Sequence, residues 1–469
     1  TEFTHPDPDR MLAWMNEAAI HARTAHNAPA YIKAHCSTGQ TADPYTDPKT
    51  GGPLNFNFLP HYADARLGVM PHTVEIYGLD DPAPTYGNTD FGYMKDFLAQ
   101  EAGTREVIWH PETAYWITYD IDVPLFLPVY AERRVSDLRI VAQTAKIDGQ
   151  MIFSSGWEWG YWLNDVAAAR AAWNPHLEEP TTRGALVKVL APVDRALGAG
   201  TANWIADTAD AQRDLLILGK VNGTTPNDIV QRNGMAYLEG FDAMADVASL
   251  GGALGVQASP ITQPARLGMV DMRNPFHSGP SYSDIAPLLA AMDTSFGALA
   301  DQGAKLASAS PAHDLADDLA DAARMTALRA RQMHGLYDYV GTGAMPRLTD
   351  ARAALDAAGL VVASREKRYR VDADRIAGWK PGPTAYDFRY LWFVRTLYFW
   401  WRDEGKAVDA PMSPCYLNVM DPADIALGEG IVADTAGAVK TALGGAATEC
   451  LAAPTSPPSF PQNNLRSRP

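Results

Sequence analysis

Two glutamates stand in clusters of aromatic residues, and this combination of residue types indicates acid–base chemistry. Glu112 lies in the segment 109–116, and Glu158 lies between two tryptophans in the segment 154–162. Burial against aromatic rings disfavours the charged form of a carboxyl group and raises its pKa, as a proton donor requires. If both glutamates follow neighbouring strands, they can act as an acid and a base, or as an acid and a nucleophile, in glycoside hydrolysis. We therefore take Glu112 and Glu158 as the candidate catalytic pair.

Aromatic and polar residues around these glutamates have the composition of a sugar-binding cleft. Aromatic rings stack on the C–H faces of sugars, while carboxylates and imidazoles bond to sugar hydroxyls. The candidate substrate-binding residues are Tyr86, His110, Tyr115, Trp116, Asp120, Asp122, Trp157 and Trp159. The alternative is that these rings only pack the protein interior, and the sequence leaves both interpretations open.

Three histidines suggest a second chemistry, a metal-dependent hydrolase. His35, His72 and His110 each stand at or near the end of a predicted strand, where they could converge on one zinc ion. No HxH or HExxH spacing supports them. The segment 43–52 contains Asp, Thr and Gly that could bind calcium, but it lacks the spacing of an EF-hand loop. We therefore expect no cofactor, with zinc or calcium as the alternative.

The elements that would position these residues alternate along the chain. The segments with strand composition are 31–36, 68–77, 106–109 and 151–154. Helical patterns follow at 90–102 and 128–144, after a first helix that Asp7 can cap and that places Pro8 at its first position. This alternation predicts an α/β fold of parallel βα units, with the site at the carboxyl ends of the strands.

The number of strands falls short of a closed barrel. Four to five strands are found where a (β/α) barrel has eight, so the fold prediction is the distal half of such a barrel. The first half would then be an upstream segment or a partner chain. A smaller open sheet, complete in itself, is the alternative.

The remainder of the chain has helical periodicity. Apolar residues recur at helical spacing over 182–250 and 283–341, and a Pro- and Ser-rich stretch closes the sequence. The predicted domains are 1–175 for the barrel portion, 176–452 for a mainly α-helical domain, and 453–469 for an irregular tail. Together with the two aromatic-glutamate segments, this order resembles (β/α)-barrel glycoside hydrolases that carry a C-terminal helical domain. The resemblance implies a carbohydrate substrate and is one of architecture, since no catalytic motif matches residue by residue.

Charge and composition exclude several other classes. The 469-residue chain has a net charge of −16, which disfavours nucleic-acid binding, and no apolar run is long enough to predict a membrane span. No GxSxG, GxGxxG after a strand, or GxxxxGK[ST] is present. A non-catalytic glycan-binding or scaffold subunit remains the alternative from another class.

The cysteines and the first residue bear on processing and compartment. The three cysteines are Cys36, Cys415 and Cys450, of which the last two could pair. The sequence begins at Thr1 without a signal-peptide pattern, so we expect that an upstream segment is removed or that the chain is part of a longer product. These features predict a secreted or periplasmic protein.

Overall fold

A computed structural model describes the chain as two compact units. The first contains 1–115, 128–154 and 161–195, and the second contains 116–127, 155–160 and 196–469. The residues that the structure describes are 7–35, 40–83, 89–114, 125–144, 146–154, 159–232, 234–239, 267–273, 275–276, 278–369 and 397–408.

The first unit contains a four-stranded sheet, which confirms the predicted α/β class and parallel strands. Its strands are β1 (Ala30–Ala34), β4 (Leu67–Thr73), β5 (Ile108–Pro111) and β6 (Gly149–Gln150). They lie in the order β1-β4-β5-β6, and each neighbouring pair is parallel. A two-stranded antiparallel sheet of β2 (Thr41–Thr46) and β3 (Pro53–Asn55) is inserted after β1.

Helices alternate with these strands as predicted: α2 (Gly92–Glu101) lies between β4 and β5, and α3 (Val129–Thr144) lies between β5 and β6. The first helix, α1 (Pro8–His26), precedes β1, and three further helices follow β6: α4 (Tyr161–Trp173), α5 (Thr182–Val189) and α6 (Ala191–Leu197). The Asp7 side chain accepts hydrogen bonds from the amides of Asp9 and Arg10 at 3.0 and 3.3 Å, which confirms the cap expected from the sequence.

Close packing fixes β1 against β4. A Cβ atom at Gly68 would lie 2.3 Å from the Tyr31 ring, so only glycine lets that ring lie over the neighbouring strand. Buried side chains of α1, including Met11 and Met15, pack with Leu54 and Leu59 on one side of this sheet region. The sheet is thereby anchored at its amino end, away from the predicted site.

The second unit is mainly helical in its described part, as the periodicity predicts. Its helices include α7 (Thr201–Gln212), α8 (Ile229–Arg232), α9 (Gly234–Glu239), α10 (Met269–Arg273), α11 (Tyr282–Ala309), α12 (His313–Thr342), α13 (Met345–Tyr369) and α14 (Tyr398–Ala407), with a short π-helical turn at Arg213–Ile217. The predicted apolar stripe of α11 is buried, with Leu288, Leu289 and Met292 nearly inaccessible. Long amphipathic helices pack here because each has one apolar face to cover.

Several predicted boundaries differ from the structure: the strand predicted at 68–77 is Leu67–Thr73, and the strand predicted at 106–109 is Ile108–Pro111. The last strand is Gly149–Gln150 rather than 151–154, although the amides of Met151 and Phe153 still bond to carbonyls of β5 at 2.9 and 2.8 Å. Backbone hydrogen bonds to β5 therefore continue beyond the end of β6, although the residues that make them are not part of a regular strand. The segment 43–52, considered above as a calcium site, contains most of β2 and the turn that follows it.

The helices and strands described above do not test the predicted domain bounds or the predicted half barrel. The domain bounds 1–175, 176–452 and 453–469 stay a prediction, as does the distal half of a barrel. Cys36, Cys415 and Cys450 lie outside the described residues. Among the residues that the structure describes, no helix is both long enough and apolar enough to cross a membrane.

Candidate active site at the carboxyl edge of the sheet

The three predicted histidines lie side by side at the carboxyl edge of the parallel sheet. His72 is in register with His110, and His35 follows the last paired residue of β1, which is in register with Pro71. The ring centroids of His35 and His72 are 5.0 Å apart, and those of His72 and His110 are 4.7 Å apart. The sheet register, rather than any sequence motif, brings the three rings into one row.

Hydrogen bonds to backbone carbonyls orient two of these rings. Nδ1 of His72 bonds to the carbonyl oxygen of His110 at 2.7 Å, and Nδ1 of His110 bonds to the carbonyl oxygen of Met151 at 2.5 Å. A carbonyl oxygen can only accept, so Nδ1 carries the proton in both rings. Nε2 is therefore the nitrogen of each ring that is available for other contacts.

Burial keeps the outer two histidines neutral. Desolvation, followed by the neighbouring His72, lowers the pKa of His35 to about 2. Desolvation is also the largest influence on His110, whose pKa is lowered to about 4 although its hydrogen bond to Met151 acts in the opposite direction. At neutral pH, His35 and His110 therefore supply polar contacts without positive charge.

Glu112 lies directly after β5, next to this row, and is 4% exposed. Its Oε2 accepts a hydrogen bond of 2.6 Å from the Glu75 amide, and its Oε1 lies 3.3 Å from Nε2 of His72. Because Nδ1 of His72 already carries its proton, Nε2 is the ring nitrogen that faces the carboxyl group. A proton placed between Nε2 and Oε1 would make this contact a hydrogen bond.

Arg134 of α3 holds the backbone on which Glu112 stands. Its Nη1 donates to the carbonyl of Glu112 at 2.8 Å, and its Nη2 donates to the carbonyl of Tyr77. The guanidinium also pairs with Asp137 at 3.1 Å. Arg134 thus fixes the segments that follow β4 and β5 while leaving the carboxyl group of Glu112 without a salt bridge to it.

The partner of Glu112 differs from the partners of other buried acids. Arginine pairs with Asp81, Glu101, Glu132, Asp137, Asp318, Asp403 and Glu404. An arginine stays charged at every accessible pH and holds a carboxylate ionised, whereas a histidine can give up its proton. Glu101 also contacts His61 at 2.6 Å in addition to its arginine, so among the buried acids with a described ion-pair partner Glu112 is the one that faces a histidine without an arginine.

Glu75 is a buried carboxyl-bearing residue that the sequence analysis missed. It is 3% exposed and follows β4 as Glu112 follows β5. Its φ of +60° lies in the left-handed region, which is uncommon for a residue with a side chain and is concentrated at functional sites. Glu75 lies inside the strand predicted at 68–77, and an acidic residue between Val74 and Ile76 was the available signal.

Tyr130 adds a hydroxyl to the same neighbourhood. It lies in the first turn of α3 and is fully buried. Desolvation and then the charge of Glu112, with a smaller contribution from Glu75, raise its pKa well above the ordinary value. From the sequence, Tyr130 is only one residue of a predicted helix, so no signal showed that it would be buried beside the candidate site.

Most of the other predicted site residues lie outside the part of the chain that the structure describes. They are Tyr86, Tyr115, Trp116, Asp120, Asp122, Trp157 and Glu158. The pairing of Glu158 with Glu112 therefore stays a prediction, as do the sugar-binding roles of the others.

Trp159, predicted to stack on a sugar, is inside the second unit. It is fully buried, and the guanidinium of Arg365 lies 3.9 Å from its ring centroid. That arginine also pairs with Asp318, whose carboxylate accepts the Gly160 amide at 3.1 Å. The ring face is therefore in a cation–π contact within the protein, and the described contacts give no support for sugar stacking by Trp159.

The metal alternatives find little support in the described residues. No group of three or more His, Cys, Asp or Glu among them is placed to hold a metal ion, although His35, His72 and His110 are neighbours. In the segment 43–52, the Asp47 carboxylate accepts the amides of Lys49 and Thr50 at 2.7 and 3.0 Å. It stabilises the turn between β2 and β3, as an aspartate at a turn commonly does.

One cavity lies at the opposite end of the sheet. It has a volume of about 620 Å³ and is lined by residues that include Leu138, Gln143, Asp148 and Pro175. None of the predicted site residues lines it. The candidate site therefore rests on the side chains at the carboxyl edge of the sheet.

Comparison with known proteins gives one distant structural match. No protein-family profile matches the chain, and no curated protein sequence matches it. The chain is structurally similar to a GH138 enzyme targeting pectin rhamnogalacturonan II, with a TM-score of 0.40 and 9% identity. The match covers 77% of this chain and 43% of that enzyme, so the chain spans less than half of its length.

Proposed function

We propose that this protein is a carbohydrate-active hydrolase in which Glu112 is the proton donor. The observation that carries the proposal is the pairing of buried Glu112 with His72 instead of an arginine. A carboxylate in a permanent ion pair serves structure, whereas one that shares a proton with imidazole can supply it to a leaving group. The position of Glu112 after a parallel strand is where barrel enzymes carry catalytic residues.

The reaction follows from this proton. Glu112 gives its proton to the glycosidic oxygen as the bond between that oxygen and the anomeric carbon breaks. The oxygen of a water molecule bonds to the anomeric carbon, and the proton that this water loses is taken by a second carboxylate. We assign that second role to Glu158, as the base or as a nucleophile whose ester water then hydrolyses. Tyr115, Trp116, Asp120, Asp122 and Trp157 would bind the sugar.

The sequential strand order is consistent with part of a (β/α) barrel. Parallel strands that follow one another across a sheet, without a reversal, build barrels, whereas doubly wound sheets reverse their order. We propose that an upstream segment or a partner chain supplies the other strands, and that the protein is secreted or periplasmic. A native particle containing this chain alone, as a monomer and fully active, would argue against the missing half.

The test is hydrolysis of a polysaccharide panel by the intact protein and by Glu112→Gln. Glutamine keeps an oxygen to accept the Glu75 amide but has no proton to donate as an acid. We expect turnover to fall about 10²- to 10⁴-fold, the usual contribution of a positioned general acid. Released reducing ends measure it.

Glu106→Gln is the matched control, because Glu106 precedes β5 at its amino end as Glu112 follows it. Glu106 accepts a hydrogen bond from Tyr31 at 2.7 Å. This variant should retain wild-type turnover. Equal turnover in Glu112→Gln and Glu106→Gln, on a substrate that the wild type cleaves, would refute the assignment of Glu112. Binding of a polysaccharide without cleavage by the wild type would favour the glycan-binding alternative.

A further inference from the structure

The Tyr130 hydroxyl is the starting point for an additional ligand contact. Within the described residues it is buried and has no hydrogen-bond partner. A buried hydroxyl left unsatisfied destabilises the folded state, and such groups are rare in native proteins without a functional reason. The hydroxyl both donates and accepts, so a ligand hydroxyl can satisfy it fully.

Two carboxyl-bearing residues lie near Tyr130. Arg134, one turn further along α3, donates to the Glu112 carbonyl at 2.8 Å, and the charges of Glu112 and Glu75 both act on Tyr130. Glu112 is also joined to Glu75 through the 2.6 Å hydrogen bond from the Glu75 amide. The three residues come from α3 and from the ends of β4 and β5, and no two of them are close in sequence.

The left-handed backbone at Glu75 keeps this arrangement. A non-glycine residue in that region is strained, and surrounding contacts must hold it there. The conformation aims the Glu75 amide at Glu112 and ends the extended run of β4. The strained backbone of Glu75, the unsatisfied hydroxyl of Tyr130 and the carboxyl group of Glu112 therefore occur together in one buried region.

We propose that Tyr130, together with Glu75 and Glu112, binds a hydroxyl group of the sugar substrate. Tyr130 donates to or accepts from that hydroxyl, and the two glutamates bond to its neighbours on the ring. This inference rests on the proposed function for the kind of ligand, but its test reads binding and stability rather than turnover. Tyr130 is accordingly a substrate-binding residue, and no proton transfer is assigned to it.

The test compares Tyr130→Phe with Tyr31→Phe, each measured for thermal stability and for sugar binding. Both changes remove one hydroxyl from a tyrosine of the first unit. The Tyr31 hydroxyl has a partner, Glu106, at 2.7 Å, whereas the Tyr130 hydroxyl has none among the described residues. Binding is measured in the Glu112→Gln background, so that fragments of a polysaccharide cleaved by the wild type are not consumed.

The expected pattern is opposite in the two variants. Tyr130→Phe should have an unchanged or higher Tm without ligand, because it removes an unsatisfied group. Its affinity for the fragments should fall about 5- to 30-fold, as for loss of one buried hydrogen bond to a ligand. Tyr31→Phe should have a lower Tm and unchanged affinity.

Two results would overturn the inference. A fall in Tm for Tyr130→Phe as large as that for Tyr31→Phe would show that the hydroxyl is already bonded within the protein. Equal affinity for the fragments with and without the Tyr130 hydroxyl would show that it does not contact the ligand. Either result leaves the turnover test of Glu112 unaffected, so failure of the two proposals can be told apart.

Discussion

The carboxyl edge of the sheet and the helical unit both bury acidic side chains, but they neutralise them differently. In the helical unit, Arg329 pairs with Asp403 and both are fully buried, and Arg365 pairs with Asp318. At the sheet edge, Glu112 faces His72 and a backbone amide. The difference teaches that burial alone does not identify a reactive carboxyl group. The partner decides whether the charge is permanent or can move with a proton.

Arg329 also illustrates how completely a structural ion pair is satisfied. Its guanidinium donates to the carbonyl of Leu238 at 2.8 Å and to Gln332 at 2.7 Å, and it lies 5.4 Å from the Trp400 ring centroid. The N–H donors of the Arg329 guanidinium are therefore occupied by protein groups. Arg329 has little capacity left for a ligand, in contrast to the histidine row.

The largest expected effect comes from breaking this ion pair. Arg329→Met leaves Asp403 buried without its cation, and we expect a loss of about 3–5 kcal/mol in the free energy of unfolding. Urea denaturation measures it. The double variant Arg329→Met/Asp403→Leu should recover most of the loss, because no unpaired charge remains. A single variant within about 1 kcal/mol of wild type would contradict the structural role given to this pair.

A smaller effect is expected from the histidines when the pH is lowered. The folded pKa of His110 is about 4, below the ordinary 6.5, so the unfolded chain takes up the proton first. The stability from this residue is complete above about pH 6.5 and is lost as the pH falls towards 4. We expect His110→Gln to lose roughly 1–2 kcal/mol less than wild type between pH 7 and pH 5.

The comparison of two proteins isolates His110 from other titrating groups. Burial also raises the pKa of Asp137 to about 6, and a raised carboxyl pKa favours the folded state on acidification, which is the opposite sign. Wild type and His110→Gln share that contribution, so it cancels in the difference between their urea curves. Parallel pH profiles of the two proteins would show that His110 does not titrate as described.

The smallest effect is expected from an exposed ion pair. Asp80 pairs with Lys95 on the surface of the first unit, with about half of the Asp80 side chain exposed. Asp80→Asn should change the free energy of unfolding by less than about 1 kcal/mol, because water screens the charges. Denaturation in low and high salt measures it. A loss comparable to that of Arg329→Met would remove the distinction between exposed and buried pairs.

The parts of the fold that depend on local pattern could be predicted from the sequence. Apolar periodicity indicated β1, β4 and α3 to within a few residues, and the alternation of strands and helices indicated parallel pairing. Because parallel strands end at one edge, the meeting of His35, His72 and His110 followed from the same reasoning.

The parts that depend on side chains distant in sequence could not be predicted. Val74 and Ile76 alternate as a strand would, yet the backbone turns left-handed at Glu75, so that residue was taken as part of a strand. Trp159 is covered by Arg365, and Glu112 is held by Arg134. Such partners are chosen by tertiary packing, which a single sequence does not display.

One consequence of the Arg134 contacts concerns how the first unit opens. A single guanidinium bonds to the carbonyls of Tyr77 and Glu112, which belong to segments after two different strands. Neither segment can swing away without giving up a charge-assisted bond shared with the other. The two chain reversals therefore form one cooperative element, whose amides would exchange with solvent together and whose ligand contacts would be made or lost as a set.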